Sequence, residues 1–371
     1  MANLTKRPDG RWRARYRDTA GKEHARHFTR KVDAQSWLDS VTTAVRTGSY
    51  VDPGRSKITV SVMAEEWLAG KINLRPSTKA RYENALAVHV LPRWGSVPLE
   101  RIEHGDLQRW VADMSNTGLA GATVRKNHGT LSSILRFAVR EKRIASNPSD
   151  GLNLPALNER RRRYLTASQV NDLADAAGPH RLVVLTLAYC GLRWSEMAGL
   201  HVEHVNLMRR RLDISQAVVE IDGARLHWSS PKNHERRTVP IPRFLAEELA
   251  PHLHRRQPDD LVFTSSMGGV LRNKNARRDW FNEAAAAIGQ PRFVPHELRH
   301  TAASLAVSAG ANVKAVQRML GHASAAMTLD RYADLFDDDL DAVADHLDDI
   351  YARSQLRESA SVSAIGQPGS V

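Results

Sequence analysis

Residues 295–304 read PHELRHTAAS, and residues 319–336 read MLGHASAAMTLDRYADLF. In the first stretch His296 and Arg299 stand three apart behind a proline, a spacing that sets both on one face of a helix. In the second, Gly321-His322 is followed by Tyr332, ten residues after the histidine. Two upstream stretches carry further polar residues of the same kind. TLAYCGLRWSEMAGLHVEHVN (186–206) holds Arg193 after Gly-Leu, with Glu196 three residues on; SSPKNHERRTVPIP (229–242) holds Lys232 at the tip of an expected hairpin. Taken singly, each has a bland reading. Arg193 could cap a helix or pair with Glu196, Lys232 could be solvated, and Tyr332 is one of seven tyrosines. Taken together they suit attack on a phosphodiester. Arg193 and Arg299 offer permanently charged forks of donors for the nonbridging oxygens, and His322 adds a third donor. Lys232 can protonate a departing oxygen, and Tyr332 can act as nucleophile. A phenol ordinarily ionises near pH ~10, so Tyr332 needs a proton acceptor, and His296 is the candidate. Glu196 is read as a support for Arg193.

Outside these stretches, composition bounds the function class. Lys and Arg number 53 against 41 Asp and Glu, a formal net charge of +12 that favours a polyanionic partner. A lone cysteine, Cys190 within the apolar run 182–192, excludes an intramolecular disulfide and a cysteine-based zinc site. That run is too short to cross a bilayer, and the N-terminus lacks a secretory apolar segment. A cytoplasmic protein of the bacterial host, associated with the nucleoid and not with a membrane, is the expectation. Residues 1–55 read as a hairpin closed by a helix over 31–47; Arg11, Arg13, Arg15 and Arg17 alternate along one strand and so share a face. From 58 to 155 the pattern is helical throughout, with helices over 61–70, 76–90, 104–114 and 123–141 and a stop near Pro92. Lys79, Arg81, Arg125 and Lys126 are placed on its exposed faces. A basic linker containing Arg160 and Arg161 leads into mixed structure over 160–352, in which 211–220 reads as one strand. Residues 353–371 have the composition of a disordered tail.

The four stretches, in this order and spacing, resemble the tyrosine recombinase family of the phage-integrase type. Residues 58–155 look like that family's core-binding domain and 1–55 like the arm-binding domain of its larger integrases. The resemblance implies a multidomain α+β chain: a small N-terminal three-stranded sheet plus helix, an all-α core-binding domain, and a mixed, mainly helical catalytic domain with a small antiparallel sheet. It implies site-specific cleavage and rejoining of DNA through a 3′-phosphotyrosine, without metal, ATP or other cofactor, integrating and excising phage or mobile-element DNA. The implied partners are double-stranded attachment sites of core and arm type, a homotetramer formed on DNA, and an excision or directionality factor. Binding arm and core sites at once loops the DNA, and bending it over short distances costs several kcal/mol, so a host DNA-bending protein is expected as well. The sequence departs from the family in placing Asp334, not histidine, two residues after Tyr332, and in the acidic stretch 330–349, whose apolar side suits packing on its own domain or on a neighbouring protomer.

Two other readings compete. A type IB topoisomerase shares the tyrosine chemistry but has no use for an arm-binding module. His296-Glu297-x-x-His300 matches a zinc-protease helix, with His322 as a conceivable third ligand. That reading leaves Arg193, Lys232, Arg299 and Tyr332 without a role, and casts His300 as a packing or hydrogen-bonding residue otherwise.

Overall fold

The structure, a computed structural model, describes residues 2–18, 21–47, 50–52, 54–157, 163–221, 225–230, 236–332, 347–348 and 351–352. The chain divides into two compact units, Met1–Arg160 and Arg161–Val371. Among the described residues no helix is long and apolar enough to cross a membrane.

The first unit opens with three antiparallel strands, β1 (Asn3–Lys6), β2 (Trp12–Arg17) and β3 (Glu23–Phe28), in the order β1-β2-β3. Alternation along β2 decides its two faces. Ala14 and Tyr16 turn inward and pack with Ala34 and Leu38 of α1 (Lys31–Thr47). Arg13, Arg15 and Arg17 project from the other face, where Arg15 pairs with Asn3 of β1 and Ala25 of β3. Glu23 lies within 3.6 Å of Arg13 and 3.9 Å of Arg15, so one carboxylate partly offsets that row of charge.

A separate apolar cluster gathers α2 (Val60–Ala69), α3 (Pro76–Ala85), α4 (Leu91–Trp94), α5 (His104–Asn116) and α6 (Gly121–Arg140) around Met63, Trp94, Leu107, Leu131 and Leu135. The helix expected to stop near Pro92 instead runs on to Trp94. A π-helical turn over Leu86–Val90 resets the hydrogen bonding, so Pro92 falls in the first turn of α4, where its missing N–H is not needed.

In the second unit Thr166 and Gln169 close a reciprocal cap on α7 (Ala167–Ala176). The apolar run forms α8 (Arg181–Cys190), which is buried between α7 and α13 (Pro295–Ser308). Cys190 is wholly buried in it, and that burial pushes its thiol up to about 12, which makes it inert as a nucleophile. After α9 (Trp194–Ala198) come the strands β4 (Val205–Asn206), β5 (Arg211–Ile214), β6 (Ala217–Ile221), β7 (Arg225–Ser229) and β8 (Arg237–Pro240). The stretch read as one strand over 211–220 is two. Ser215 and Gln216 between them hydrogen-bond His204 and His201, and the chain leaves the β4-β5-β8 sheet for a β6-β7 hairpin. Helices α10 (Arg243–Leu253), α11 (Asn273–Ala276), α12 (Asn282–Ala287), α14 (Val313–Leu320) and α15 (Ala325–Tyr332) complete the described part, with α11 and α12 joined by a π-helical turn.

Gly191 ends α8 at φ +63°, and a Cβ there would stand 2.7 Å from Leu320 Cδ2. Left-handed backbone and overpacking each cost about 1–3 kcal/mol. Gly191→Ala should therefore lower unfolding stability by about 2–4 kcal/mol, read as a reduced urea midpoint of the second unit.

Candidate active site

Three segments far apart in sequence meet where α8 ends. The first is the turn Gly191–Arg193. Arg193 caps α9; its backbone N–H donates to Glu196 Oε2 at 2.8 Å and its Nη1 to Glu196 Oε1 at 2.7 Å. The second is the end of α14 and the turn after it: Arg193 Nη2 donates to Gly321 O at 3.4 Å. The third is α13. Arg299, buried within it, donates from Nη1 to Gly191 O at 2.6 Å and from Nη2 to Leu320 O. Arg299 thus ties the residue two before Arg193 to the residue two before His322.

Glu196 is the common partner. Its carboxylate, 1% exposed, also receives Nη1 and Nη2 of Arg237 at 2.9 and 2.7 Å, while Arg237 Nε donates to Met319 O at 3.0 Å. Burial by itself would raise the Glu196 carboxyl, but hydrogen bonds and charge from Arg237, with Arg193 adding to them, outweigh it and hold the group at about 2. Two guanidiniums therefore bind one carboxylate, and a third, Arg299, lies within its electrostatic reach. Burial pushes Arg299 down to about 9, and repulsion from Arg193 and Arg237 works in the same direction. It remains charged at neutral pH, in a site with a surplus of positive charge.

Tyr332 ends α15 fully buried, against Ala303, Val307, Val316 and Leu320. Its hydroxyl is hydrogen-bonded to His300 Nδ1 at 2.9 Å. The His322 ring lies nearly parallel to the phenol at 6.2 Å, and His322 Nδ1 is bonded to Thr328 Oγ1 at 2.9 Å. His296, the proton acceptor expected from the sequence, is exposed one turn before His300 and lines a cleft of about 350 Å³ together with Arg193, Trp194 and Asn273. Lys232 lies outside the described residues, as do Asp334 and most of the acidic stretch 330–349. Arg237 is the member of this cluster that the sequence reading does not name, while His300, cast there as a packing or hydrogen-bonding residue, bonds the Tyr332 hydroxyl. Glu297, the would-be base of a zinc site, accepts the Val294 N–H at 2.7 Å and caps α13.

The residues expected to touch DNA divide into groups. Arg13, Arg15 and Arg17 share the sheet face opposite α1, and Arg11 is exposed just before β2. Lys79 is exposed and 3.7 Å from Glu83. Arg81 and Lys126 line a cleft of about 450 Å³ with His89 and Thr123. Arg125, placed by the sequence on an exposed face, is half-buried. Its guanidinium donates to Pro155 O at 2.7 Å and Leu154 O at 3.4 Å, fixing the segment after α6. Arg160 and Arg161 lie outside the described residues.

Comparison with known proteins adds three matches in chain order: "Phage integrase, N-terminal domain" over residues 3–47, "Phage integrase central domain" over 60–154 and "Phage integrase family" over 163–338. A putative prophage phiRv2 integrase of Mycobacterium tuberculosis is 27% identical over 341 residues, 86% of this chain and 88% of that protein. The fold is similar to that of the Tn1549 transposon integrase solved with a circular intermediate DNA. There the TM-score is 0.66 at 21% identity, over 74% of this chain and 94% of that one. A lambda integrase tetramer bound to a Holliday junction gives a TM-score of 0.59 at 20% identity, over 87% and 96% of the two chains.

Glu196 supplies a test of how this cluster is held. Its folded value of about 2 lies below the ordinary 4.5, so its contribution is present in full above about pH 4.5 and is lost as pH falls toward 2. The difference corresponds to about 3 kcal/mol. Glu196→Gln, which leaves two guanidiniums without their counter-charge, should cost about 3–5 kcal/mol at pH 7. Urea midpoints of the two proteins should converge as pH drops from 5 to 2.5.

Proposed function

The chain belongs to the phage integrase family, the tyrosine recombinases, and on that premise we propose how this site-specific recombinase cleaves and rejoins its DNA. Tyr332 attacks the scissile phosphorus and becomes a 3′-phosphotyrosine, which conserves the bond energy for religation. Arg193 and Arg299 hold the nonbridging oxygens, with His322 as the third donor. Lys232 protonates the departing 5′-oxygen. The observation that carries the assignment is the surplus of positive charge around Glu196. Arg193 and Arg237 bind its carboxylate, and Arg299, held on Gly191 O and Leu320 O, lies within its electrostatic reach. A phosphodiester is an anion that offsets the surplus. Positively charged donors aimed in advance at the nonbridging oxygens stabilise the transition state most when water is excluded.

The cleft shared by Arg193 and His296 is where the phosphate docks in this reading. Because the phenol is fully buried, the phosphate reaches its hydroxyl only after the side chains that cover it open on DNA binding. Residues 1–55 form an arm-binding domain whose contacts come from Arg11, Arg13, Arg15 and Arg17; residues 58–155 form a core-binding domain that uses Lys79, Arg81 and Lys126; residues 160–352, with Arg160 and Arg161 at their start, form the catalytic domain. The working form is a tetramer on DNA, assisted by a host DNA-bending protein and a directionality factor, that integrates and excises a mobile element in the bacterial cytoplasm. The DNA binding and the tetramer in this reading are supported by the Tn1549 integrase complex with a circular intermediate DNA and by the lambda integrase tetramer on a Holliday junction.

A nicked duplex carrying the core sequence from the element's own ends tests the reading. The wild-type chain should give a covalent protein–DNA adduct and joined recombinant product, with or without a chelator. Tyr332→Phe should give neither while still shifting the duplex in a gel. An adduct that survives Tyr332→Phe contradicts the assignment. Equal relaxation of supercoiled plasmids with and without the core site would point to a type IB topoisomerase instead.

A further inference from the structure

We propose that His300, and not His296, takes the proton from Tyr332 during cleavage. The inference rests on the reading of Tyr332 as nucleophile and adds the identity of its proton acceptor. His300 Nδ1 stands 2.9 Å from the phenol oxygen, the distance of a formed hydrogen bond. The two rings meet at 63° with centroids 5.7 Å apart, so the imidazole edge is turned toward the hydroxyl and is not stacked on the ring. His322, the other histidine against the phenol, has its Nδ1 engaged with Thr328. His296 lies on the same face of α13, one turn earlier; its ring sits edge-on to His300 at 5.1 Å and opens onto the cleft beside Arg193. That placement suits His296 to the DNA phosphate, and His300 to the buried nucleophile.

The step balances without any further reactant. The Oη–H bond of Tyr332 breaks and its proton passes to His300 Nδ1, leaving an imidazolium. The oxygen lone pair forms the phosphorus–Oη bond as the bond to the 5′-oxygen breaks, and that oxygen takes a proton from Lys232. In religation the 5′-hydroxyl gives its proton back to Lys232 as its oxygen attacks phosphorus, the phosphorus–Oη bond breaks, and His300 returns its proton to the departing phenolate.

Adduct formation on the nicked core duplex is the readout, with a gel shift run on each variant. His300→Ala removes both the hydrogen bond and the base; His300→Asn keeps a polar partner for the phenol but cannot accept its proton. Both should form adduct about 10²-fold more slowly or worse while shifting the duplex like wild type. Placing 3,5-difluorotyrosine at position 332 makes the phenol more acidic, and it should restore His300→Asn to within about tenfold of wild type. A purely structural role for His300 would not respond to phenol acidity. The proposal is overturned if His300→Asn cleaves like wild type, or if the fluorinated phenol rescues His296→Asn and not His300→Asn. A wild-type chain that forms no adduct at all overturns the underlying reading together with this one, whereas an active wild type beside an equally active His300→Asn overturns this one alone.

Discussion

The carboxylate of Glu196 is the joint on which the site depends. It is buried, it is ionised, and it receives the guanidiniums of Arg193 and Arg237. An unpaired ion could not persist at that depth. Each arginine then reaches a second anchor: Arg193 the carbonyl of Gly321, and Arg237 the carbonyl of Met319. Arg299 joins the same frame through Gly191 and Leu320. The start of α9, the end of α14 and the middle of α13 are thereby held by charge-assisted hydrogen bonds as well as by apolar packing. Gly321 shows how close the fit is, since a Cβ there would lie 2.9 Å from Arg237 Cδ.

The same clamp leaves a surplus of positive charge that suits an anion. Glu196 neutralises one of three guanidiniums; Arg299 and Arg237 are shielded enough that water screens them weakly, while Arg193 opens onto the cleft. Arg299, set furthest from solvent, is pushed down to about 9 by its burial first and by repulsion from Arg193 and Arg237 second. Catalytic polarity is bought here with folding stability: the cluster is held by interactions that would be simpler to satisfy with an apolar core.

Much of this was legible in the sequence. The apolar spacing over 31–47 gives α1 to the residue, the run 182–192 gives α8, and the separations within four short stretches single out Arg193, Arg299, His322 and Tyr332. Other features needed the third dimension. Whether Ser215 and Gln216 continue a strand or break it depends on His201 and His204, which lie upstream. Arg237 follows Arg236 in a polar stretch, and only strand register tells which of the two turns inward. A signal was present, because Val239 and Ile241 are apolar and alternate with it. His300 shares a helix face with His296, but which ring meets the phenol is settled by the placement of α15, thirty-two residues away in the chain.

The claim at the centre is that these arginines present a DNA phosphate to the hydroxyl of Tyr332. Digesting the covalent protein–DNA adduct and sequencing the modified peptide by tandem mass spectrometry tests it most directly. The 3′-phosphonucleotide should be found on the peptide containing Tyr332, attached to the phenol oxygen. A nucleotide carried by any other side chain would contradict the account.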